Sequence, residues 1–190
     1  IGTVMTRVTA DTLGGGRYVV TGGSGFLGSS VALALCEAGH GALVVDARPP
    51  PVSHPALSWV RGSVVDGDAL AAAFAGALGV LHLAGRATFT RAEGYRQLRE
   101  LHVGGAVTVV EAAARSGVPR VVFGSTAMAY AMSKTRRRFR EDEACEVGAL
   151  DAWPYCLTMR EAEEAARDRC SALGVRFVSL RPALVLGPAG

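Results

Sequence analysis

A glycine-rich stretch near the start of the chain has the residue types and the spacing to bind a diphosphate. Gly22, Gly25 and Gly28 follow a short apolar run, and the residues after them carry apolar side chains at helical spacing. The first glycine permits a tight turn, the second lets the backbone approach phosphate oxygens, and the third lets the helix pack against the sheet. Free amide groups at the start of a helix attract anions. The stretch therefore predicts a site for the diphosphate of a dinucleotide.

A carboxylate follows at the end of the next apolar run. Asp46 ends residues 42–46, where an acid would accept hydrogen bonds from the adenosine ribose of a dinucleotide. Its charge would repel a 2′-phosphate, which favours NAD, while Arg48 nearby leaves NADP as an alternative. The ordered series of strand, glycines, helix, strand and acid favours a cofactor site over a glycine turn with a purely structural role.

Strands and helices alternate along the chain, and they must position these residues. Short apolar runs predict strands, and apolar residues at helical spacing predict the helices between them. We predict strands over 17–21, 42–46, 57–60, 80–85 with its exit turn, 120–124 and 175–180, and helices over 27–38, 66–75, 95–116 and 153–173. This alternation predicts an α/β protein whose parallel sheet has helices on both faces and binds the cofactor at the carboxyl ends of its strands.

Composition limits the class of protein. The 190 residues suit one domain, which we place at 17–190 after a flexible lead-in over 1–16. Apolar runs are too short to span a bilayer, and a net charge of +3 gives no indication of nucleic-acid binding. The four cysteines lack the paired spacing of metal ligands, so we expect free thiols, no metal site and a cytoplasmic protein.

Four motifs occur in a fixed order along the chain. They are Gly-x-x-Gly-x-x-Gly after Thr21, His-Leu-Ala-Gly at 82–85, Ser-Thr-x-x-x-Tyr at 125–130 and Arg-Pro-x-x-Val-x-Gly-Pro at 181–188. Together they resemble the extended short-chain dehydrogenase/reductase family, the NAD-dependent epimerases and dehydratases. The resemblance implies a Rossmann-type doubly wound sheet, NAD(P) as cofactor and a small-molecule substrate. It further implies that the C-terminal substrate region of family members is largely absent from these 190 residues, and that two copies could pair through the helices at 95–116 and 155–173.

The resemblance also assigns catalytic positions. In family members a Tyr-x-x-x-Lys helix supplies a tyrosine acid/base and a lysine that holds the nicotinamide ribose and lowers the tyrosine's pKa. Tyr155 matches the tyrosine and Thr126 the hydroxyl that orients the substrate oxygen, but Met159 stands at the lysine position. A free tyrosine has a pKa of about 10, and a thioether supplies no charge to lower it. Arg160 points about 100° away around the helix, and the single lysine, Lys134, lies in a loop.

Position and resemblance together predict the contacts with the cofactor. The predicted residues are Gly22, Gly25, Phe26, Leu27, Gly28, Asp46, Ala47, Arg48, Ser63, Val64, Leu83, Ala84, Gly85, Tyr155 and Pro182. Ser63 stands where family members usually carry an acid that contacts adenine, and His102 stands where they commonly place an asparagine. We interpret His82 as a packed strand residue, since a lone strand histidine is more often packed than catalytic.

The resemblance leaves the substrate and the activity open. A nucleotide sugar and a sterol-like or polyketide-like alcohol both suit hydride transfer at a carbinol or ketone carbon. Because of Met159, the alternatives are a dinucleotide-binding sensor or partner-binding module with impaired turnover, and a non-redox enzyme on the same fold. The charged segment 133–143 is interpreted as a solvated loop, with an anion clamp for a phosphate-bearing substrate as the alternative.

Overall fold

Six parallel strands form one twisted sheet at the centre of the molecule. The structure, a computed structural model, describes residues 15–87, 94–130, 138–141 and 153–187. Strand order is β3-β2-β1-β4-β5-β6. The strands are β1 Arg17–Thr21, β2 Gly41–Asp46, β3 Leu57–Arg61, β4 Gly79–His82, β5 Arg120–Gly124 and β6 Arg176–Leu180. The order reverses between β1 and β4, which opens a crevice at the carboxyl ends of these strands. The predicted Rossmann-type parallel sheet is confirmed.

Helices connect the strands close to the predicted positions. They are α1 Phe26–Glu37, α2 Gly67–Phe74, α3 Tyr95–Arg99, α4 Gly105–Arg115 and α5 Pro154–Leu173. The single helix predicted over 95–116 is interrupted by a π-helical turn at Glu100–Gly104, which apolar spacing does not reveal. Helix α5 begins at Pro154, where a missing N–H costs no hydrogen bond, and ends before Gly174 in a left-handed conformation with φ 69°.

Helices cover both faces of the sheet and bury it. Val19 and Val20 are neighbours on β1 and point to opposite faces, yet both are completely buried. Val19 packs in a cluster with residues of α2, α4 and α5, and Val20 packs in a second cluster with residues of α1. Burial on both faces explains why these strands are apolar without alternation. Within the described residues, no helix is long and apolar enough to cross a bilayer.

The glycine turn after β1 is held by close backbone contacts. Gly22 has φ 74°, and a Cβ placed there would lie 2.5 Å from the backbone of Ala84. A Cβ on Gly28 would lie 2.1 Å from the Gly22 carbonyl oxygen, so helix α1 packs on the turn itself and not only on the sheet. A Cβ on Gly25 would meet only that same oxygen, at 3.3 Å. Packing therefore requires glycine at the first and third positions, whereas a Cβ at the second would make one tight contact that a small shift relieves.

A buried ion pair joins α5 to the ends of β5 and β6. The Glu163 side chain is 3% exposed, and its carboxylate accepts hydrogen bonds from Ser125 Oγ at 2.6 Å and from Arg181 Nη2 at 2.6 Å. Arg167, one helical turn later, pairs with the same carboxylate from the surface. Burial alone would raise the pKa of Glu163, but the hydrogen bonds from Arg181 and Ser125 outweigh it and lower the pKa below its usual 4.5.

We expect Gly28→Ala to destabilise the fold by about 1–3 kcal/mol, because the added methyl group cannot fit beside the Gly22 carbonyl. Gly25→Ala is the matched control: Gly25 has φ −78°, which alanine adopts freely, and little surrounds its Cβ position. Its free energy of unfolding should stay within about 0.5 kcal/mol of the parent. Urea unfolding of the three proteins measures the difference. Equal stabilities of the two variants would contradict the packing described for the turn.

Acid should weaken the fold through Glu163, because its pKa is lower in the folded than in the unfolded chain. The stability that this group contributes is fully present above the unfolded pKa and is lost as the pH falls through the lower folded value. We expect Glu163→Gln to lose less stability than the parent between about pH 5 and pH 3. Urea unfolding across this range measures the loss, and Glu111→Gln, which removes the exposed pair with Arg169, is the control. Parallel pH profiles for the parent and Glu163→Gln would contradict it.

Candidate active site

A cavity of about 640 Å³ opens at the carboxyl ends of the central strands. Its walls come from the start of α1, from the segments that follow β4, β5 and β6, and from α5. The lining residues are Leu27, Leu83, Ala84, Gly85, Arg86, Ala87, Gly124, Ser125, Thr126, Ala127, Met128, Tyr155, Met159, Pro182, Ala183, Leu184 and Val185. Every predicted catalytic position thus lies on one cavity, together with five of the predicted cofactor positions that have no catalytic role.

Thr126 and Tyr155 meet in this cavity although they are distant in the sequence. Thr126 follows β5 and is buried, and Tyr155 lies in the first turn of α5 and is half-buried. Burial raises the pKa of Tyr155 above its usual 10, and the hydrogen bond with the Thr126 hydroxyl opposes that rise. The Thr126 oxygen also accepts a weak hydrogen bond from the Met128 amide at 3.3 Å. The pair forms a hydroxyl site that could hold an alcohol or ketone oxygen.

Met159 lies one turn after Tyr155 on α5 and lines the same cavity. It is 7% exposed and belongs to the apolar cluster beneath the sheet. Its thioether supplies no positive charge beside the phenol, which agrees with the raised pKa of Tyr155. Lys134 lies outside the described residues, as does most of the charged segment 133–143, so both interpretations of that segment stay predictions.

His102 bridges two walls of the cavity from the π-helical turn. Its Nε2 accepts the Arg86 backbone N–H at 3.1 Å, and its Nδ1 lies 2.9 Å from Thr158 Oγ1. The Thr158 hydroxyl in turn donates to the Pro154 carbonyl at 2.7 Å, which assigns the proton of a neutral imidazole to Nδ1. The ring also stands edge-on to Tyr155, with centroids 5.9 Å apart. The residue at the asparagine position therefore connects the segment after β4 to the helix that carries Tyr155.

Asp46 holds the glycine turn in place. Its Oδ2 accepts the Ser24 N–H and its Oδ1 accepts the Arg48 N–H, both at 3.1 Å. The Ser24 hydroxyl returns a hydrogen bond to the Arg48 carbonyl at 2.5 Å. Ala47 lies between these two anchored residues. Each carboxylate oxygen keeps a further lone pair for a ligand hydroxyl.

The segment after β3 lies beside Asp46. The amide of Gly62 donates to the Asp46 carbonyl at 3.2 Å, which brings Ser63 and Val64 to the same edge of the sheet. Ser63 caps its own turn weakly, accepting the Val65 amide at 3.4 Å. The Val64 side chain is buried in the core, so only its backbone could face a ligand. The predicted residues 46–48, 63 and 64 therefore lie together at one edge of the sheet, and none of them lines the cavity at β4 to β6.

The segment that follows β6 packs over the start of α1. A Cβ on Gly187 would lie 2.8 Å from the Phe26 ring, which places Phe26 under this segment. Pro182 and Leu27 line the cavity below it. The predicted contacts Phe26, Leu27 and Pro182 thus lie together where two connections cross the crevice.

His82 lies beneath the cavity and is 2% exposed. Burial, with a smaller contribution from His102, lowers the pKa of His82 to about 4, so the ring is neutral. Its Nδ1 pairs with Thr21 Oγ1 at 2.7 Å. The interpretation of His82 as a packed strand residue is confirmed. No cluster of metal-ligating side chains occurs in the part of the chain that the structure describes.

The sequence did not identify two residues, Glu163 and Ser125, that are hydrogen-bonded to each other next to the site. Glu163 reads as one of several acids on α5, and its burial depends on the faces that α5 presents to β5 and β6. In the sequence, Ser125 is only one member of a motif, whereas in the structure its hydroxyl donates a hydrogen bond to Glu163. The sequence offers one signal for Glu163: its spacing of eight residues from Tyr155 places the two side chains on neighbouring faces of α5.

Comparisons with known proteins support this description. A 3-beta-hydroxysteroid dehydrogenase of Mycolicibacterium neoaurum is 39% identical over 57% of the chain and 31% of its own length. A dihydroflavonol 4-reductase of Hordeum vulgare is 27% identical over 91% of the chain and 54% of its own length. DesIV, a dTDP-glucose 4,6-dehydratase of Streptomyces venezuelae solved with NAD bound, superposes with a TM-score of 0.80 at 26% identity, covering 91% of the chain and 57% of its own.

The chain spans about half the length, or less, of these relatives. A family model described as the NAD dependent epimerase/dehydratase family matches residues 18–190. That match includes the glycine turn, the Thr126–Tyr155 pair and all six strands. The chain belongs to the NAD-dependent epimerase/dehydratase family.

Proposed function

We propose that this chain binds NAD across the carboxyl ends of its strands and forms the cofactor-binding part of an oxidoreductase that acts on a carbinol or ketone carbon. The observation that carries the proposal is the Thr126–Tyr155 pair, which lies on one cavity with segments that follow β4 and β6. Family membership and a structural neighbour solved with NAD support the choice of cofactor.

The residues present fit a dinucleotide. The Gly25 position has room for a diphosphate because little lies near its missing Cβ, and the amides of the turn are the natural donors to phosphate oxygens. Asp46 would accept hydrogen bonds from the adenosine ribose, and its charge favours NAD over NADP. Ser63 could hydrogen-bond adenine without a charge. Leu83, Ala84 and Gly85 would approach the nicotinamide half with backbone and small side chains.

Tyr155 and Thr126 would handle the oxygen of the substrate. Thr126 donates toward the phenol oxygen, which stabilises the phenolate, and Tyr155 would remove a proton from a carbinol or return one to a ketone. Bound NAD would accept or supply the hydride at the neighbouring carbon. Because burial raises the pKa of Tyr155, proton removal should be slow at neutral pH and faster in alkali.

The lining of the cavity favours an apolar substrate. Among the described lining residues, Arg86 alone carries a formal charge, and none is a carboxylate. Met128, Leu184 and Val185 form apolar walls around the Thr126–Tyr155 pair. A sterol-like or polyketide-like alcohol suits these walls better than a sugar, and the 3-beta-hydroxysteroid dehydrogenase relative agrees with this choice.

Met159 favours a second candidate function. A thioether in place of an ammonium group supplies no charge at position 159 that would lower the pKa of Tyr155. A chain that binds NAD and turns over slowly would act as a dinucleotide sensor or partner-binding module. The two candidates share the cofactor site and differ in the rate of hydride transfer.

NADH should bind the chain with a saturable rise in nicotinamide fluorescence, and NADPH should bind more weakly because Asp46 opposes its 2′-phosphate. Gly25→Ala should weaken NADH binding about tenfold or more, or about 1.4 kcal/mol, since the methyl group occupies the space proposed for the diphosphate. Fluorescence titration measures both affinities.

Gly104→Ala is the control for this titration, because a Cβ at Gly104 meets nothing within 4 Å and the position lies away from the turn. Its affinity should equal that of the parent. A Kd of about 1 mM corresponds to about 4 kcal/mol of binding free energy. If neither dinucleotide binds at this concentration, the cofactor proposal is overturned.

Met159→Lys should speed the oxidation of an apolar secondary alcohol at neutral pH about tenfold or more, because the ammonium group would lower the pKa of Tyr155. The alkaline rise in rate expected of the parent should move to lower pH in this variant. NADH formation followed by absorbance across a pH series measures both effects.

Met159→Leu keeps the apolar volume without adding a charge and should match the parent, with Tyr155→Phe as the inactive reference. Brisk turnover by the parent, unchanged in Met159→Lys, would exclude the sensor. NADH binding without turnover by the parent, followed by turnover in Met159→Lys, would favour the sensor over the enzyme.

A further inference from the structure

We propose that Glu163 is a positioning residue that sets the geometry of the Thr126–Tyr155 pair through Ser125. Its role rests on the proposed function, because it acts on the same two side chains. Glu163 touches neither the cavity nor a reacting atom, and it is not among the residues that the family motifs assign.

Glu163 acts on Thr126 through the preceding residue. The Ser125 hydroxyl donates to Glu163 Oε2 at 2.6 Å, and both side chains are buried. Ser125 and Thr126 are neighbours, so a shift of Ser125 moves the backbone that carries the Thr126 side chain. Glu163 also lies on α5 with Tyr155, about two turns apart. One carboxylate therefore ties the segment that carries Thr126 to the helix that carries Tyr155.

Arg181 makes this attachment rigid. Its Nε and Nη2 reach the two oxygens of Glu163 at 3.0 and 2.6 Å, and its side chain is only 12% exposed. A two-pronged pair of this kind fixes orientation as well as distance. The guanidinium also lies over the Tyr130 ring, 4.4 Å from its centroid. If the carboxylate turned away from Ser125, its hydrogen bonds with Arg181 would be lost as well, which is costly for a buried charge.

Backbone hydrogen bonds join the same two segments. The Ser125 amide donates to the Leu180 carbonyl at 2.8 Å, and the Ala127 amide donates to the Pro182 carbonyl at 2.9 Å. The residues on either side of Thr126 are thus held to the segment that follows β6. Glu163 is the buried polar contact between this joined unit and α5, beside the apolar contact of Cys156 with Met128. A shift at this point would change the Thr126–Tyr155 distance directly.

Ser125→Ala tests the proposal with the ion pair left intact, and Glu163→Gln tests it through the carboxylate. Arg169→Gln is the matched control, because it breaks an exposed ion pair of the same helix with Glu111 and touches neither segment. Tyrosine labelled with ¹³C at the ζ carbon reports the hydrogen bond at Tyr155 in the absence of any cofactor. Tyr155→Phe identifies its resonance.

We expect Ser125→Ala and Glu163→Gln to move the Tyr155 resonance, and Arg169→Gln to leave it in place. In the presence of NAD and an alcohol, Ser125→Ala should lower kcat about tenfold or more with little change in KM for NAD, as expected when a catalytic group is misplaced by a fraction of an ångström. Ser125→Ala should unfold at a somewhat lower temperature than the parent, because the buried carboxylate loses one hydrogen bond, and should remain folded where the resonance and kcat are measured.

An unchanged Tyr155 resonance in folded Ser125→Ala would overturn the proposal, even if Glu163→Gln fails to fold. The same holds if Ser125→Ala and Arg169→Gln move the resonance equally. The resonance is measured without a dinucleotide. A failure of NAD to bind would therefore contradict the proposed function, while the positioning role of Glu163 would still be tested by the spectrum.

Discussion

The structure depends on close backbone–backbone contacts at the point where the strand order reverses, between β1 and β4. Gly22 turns out of β1 with a positive φ and lies against the backbone of Ala84, while Gly28 brings α1 onto the Gly22 carbonyl. No side chain fits at either position. Because β1, α1 and the segment after β4 approach closely, the amides of the turn and residues 83–85 line one crevice. A flat ligand with a diphosphate is suited to such a surface.

The chemistry of the site depends on a balance at Tyr155. Burial disfavours the phenolate, and the Thr126 hydroxyl favours it, with burial the larger effect. A cation at position 159 would change that balance, and methionine does not. His102 adds a second departure at the same place, because its neutral ring holds Arg86 and Thr158 where a smaller amide is usual in the family. His102 stands edge-on to Tyr155 and Met159 follows it by one turn of α5, so both departures lie close to the phenol while the scaffold is retained.

The relatives differ more in substrate than in fold. Steroid, flavonoid and sugar-nucleotide enzymes all match this chain, and each extends well beyond it. Their shared part is the half that the structure describes, which is built around the sheet and the glycine turn. In this half, Met128 and Leu184 contribute apolar side chains to the lining of the cavity.

Local patterns in the sequence determined the strands, most helix bounds, the glycine turn and the acid after β2, because each depends on neighbours in the chain. The doubly wound parallel sheet and the meeting of Thr126 with Tyr155 also followed, through motifs whose order is typical of one family. Tertiary structure alone decided the π-helical turn at 100–104, the double hydrogen bond of His102 and the burial of Glu163 against Ser125 and Arg181. These features join residues tens of positions apart, and a side chain's partner across such a distance is set by how helices pack on a sheet, which no local pattern encodes.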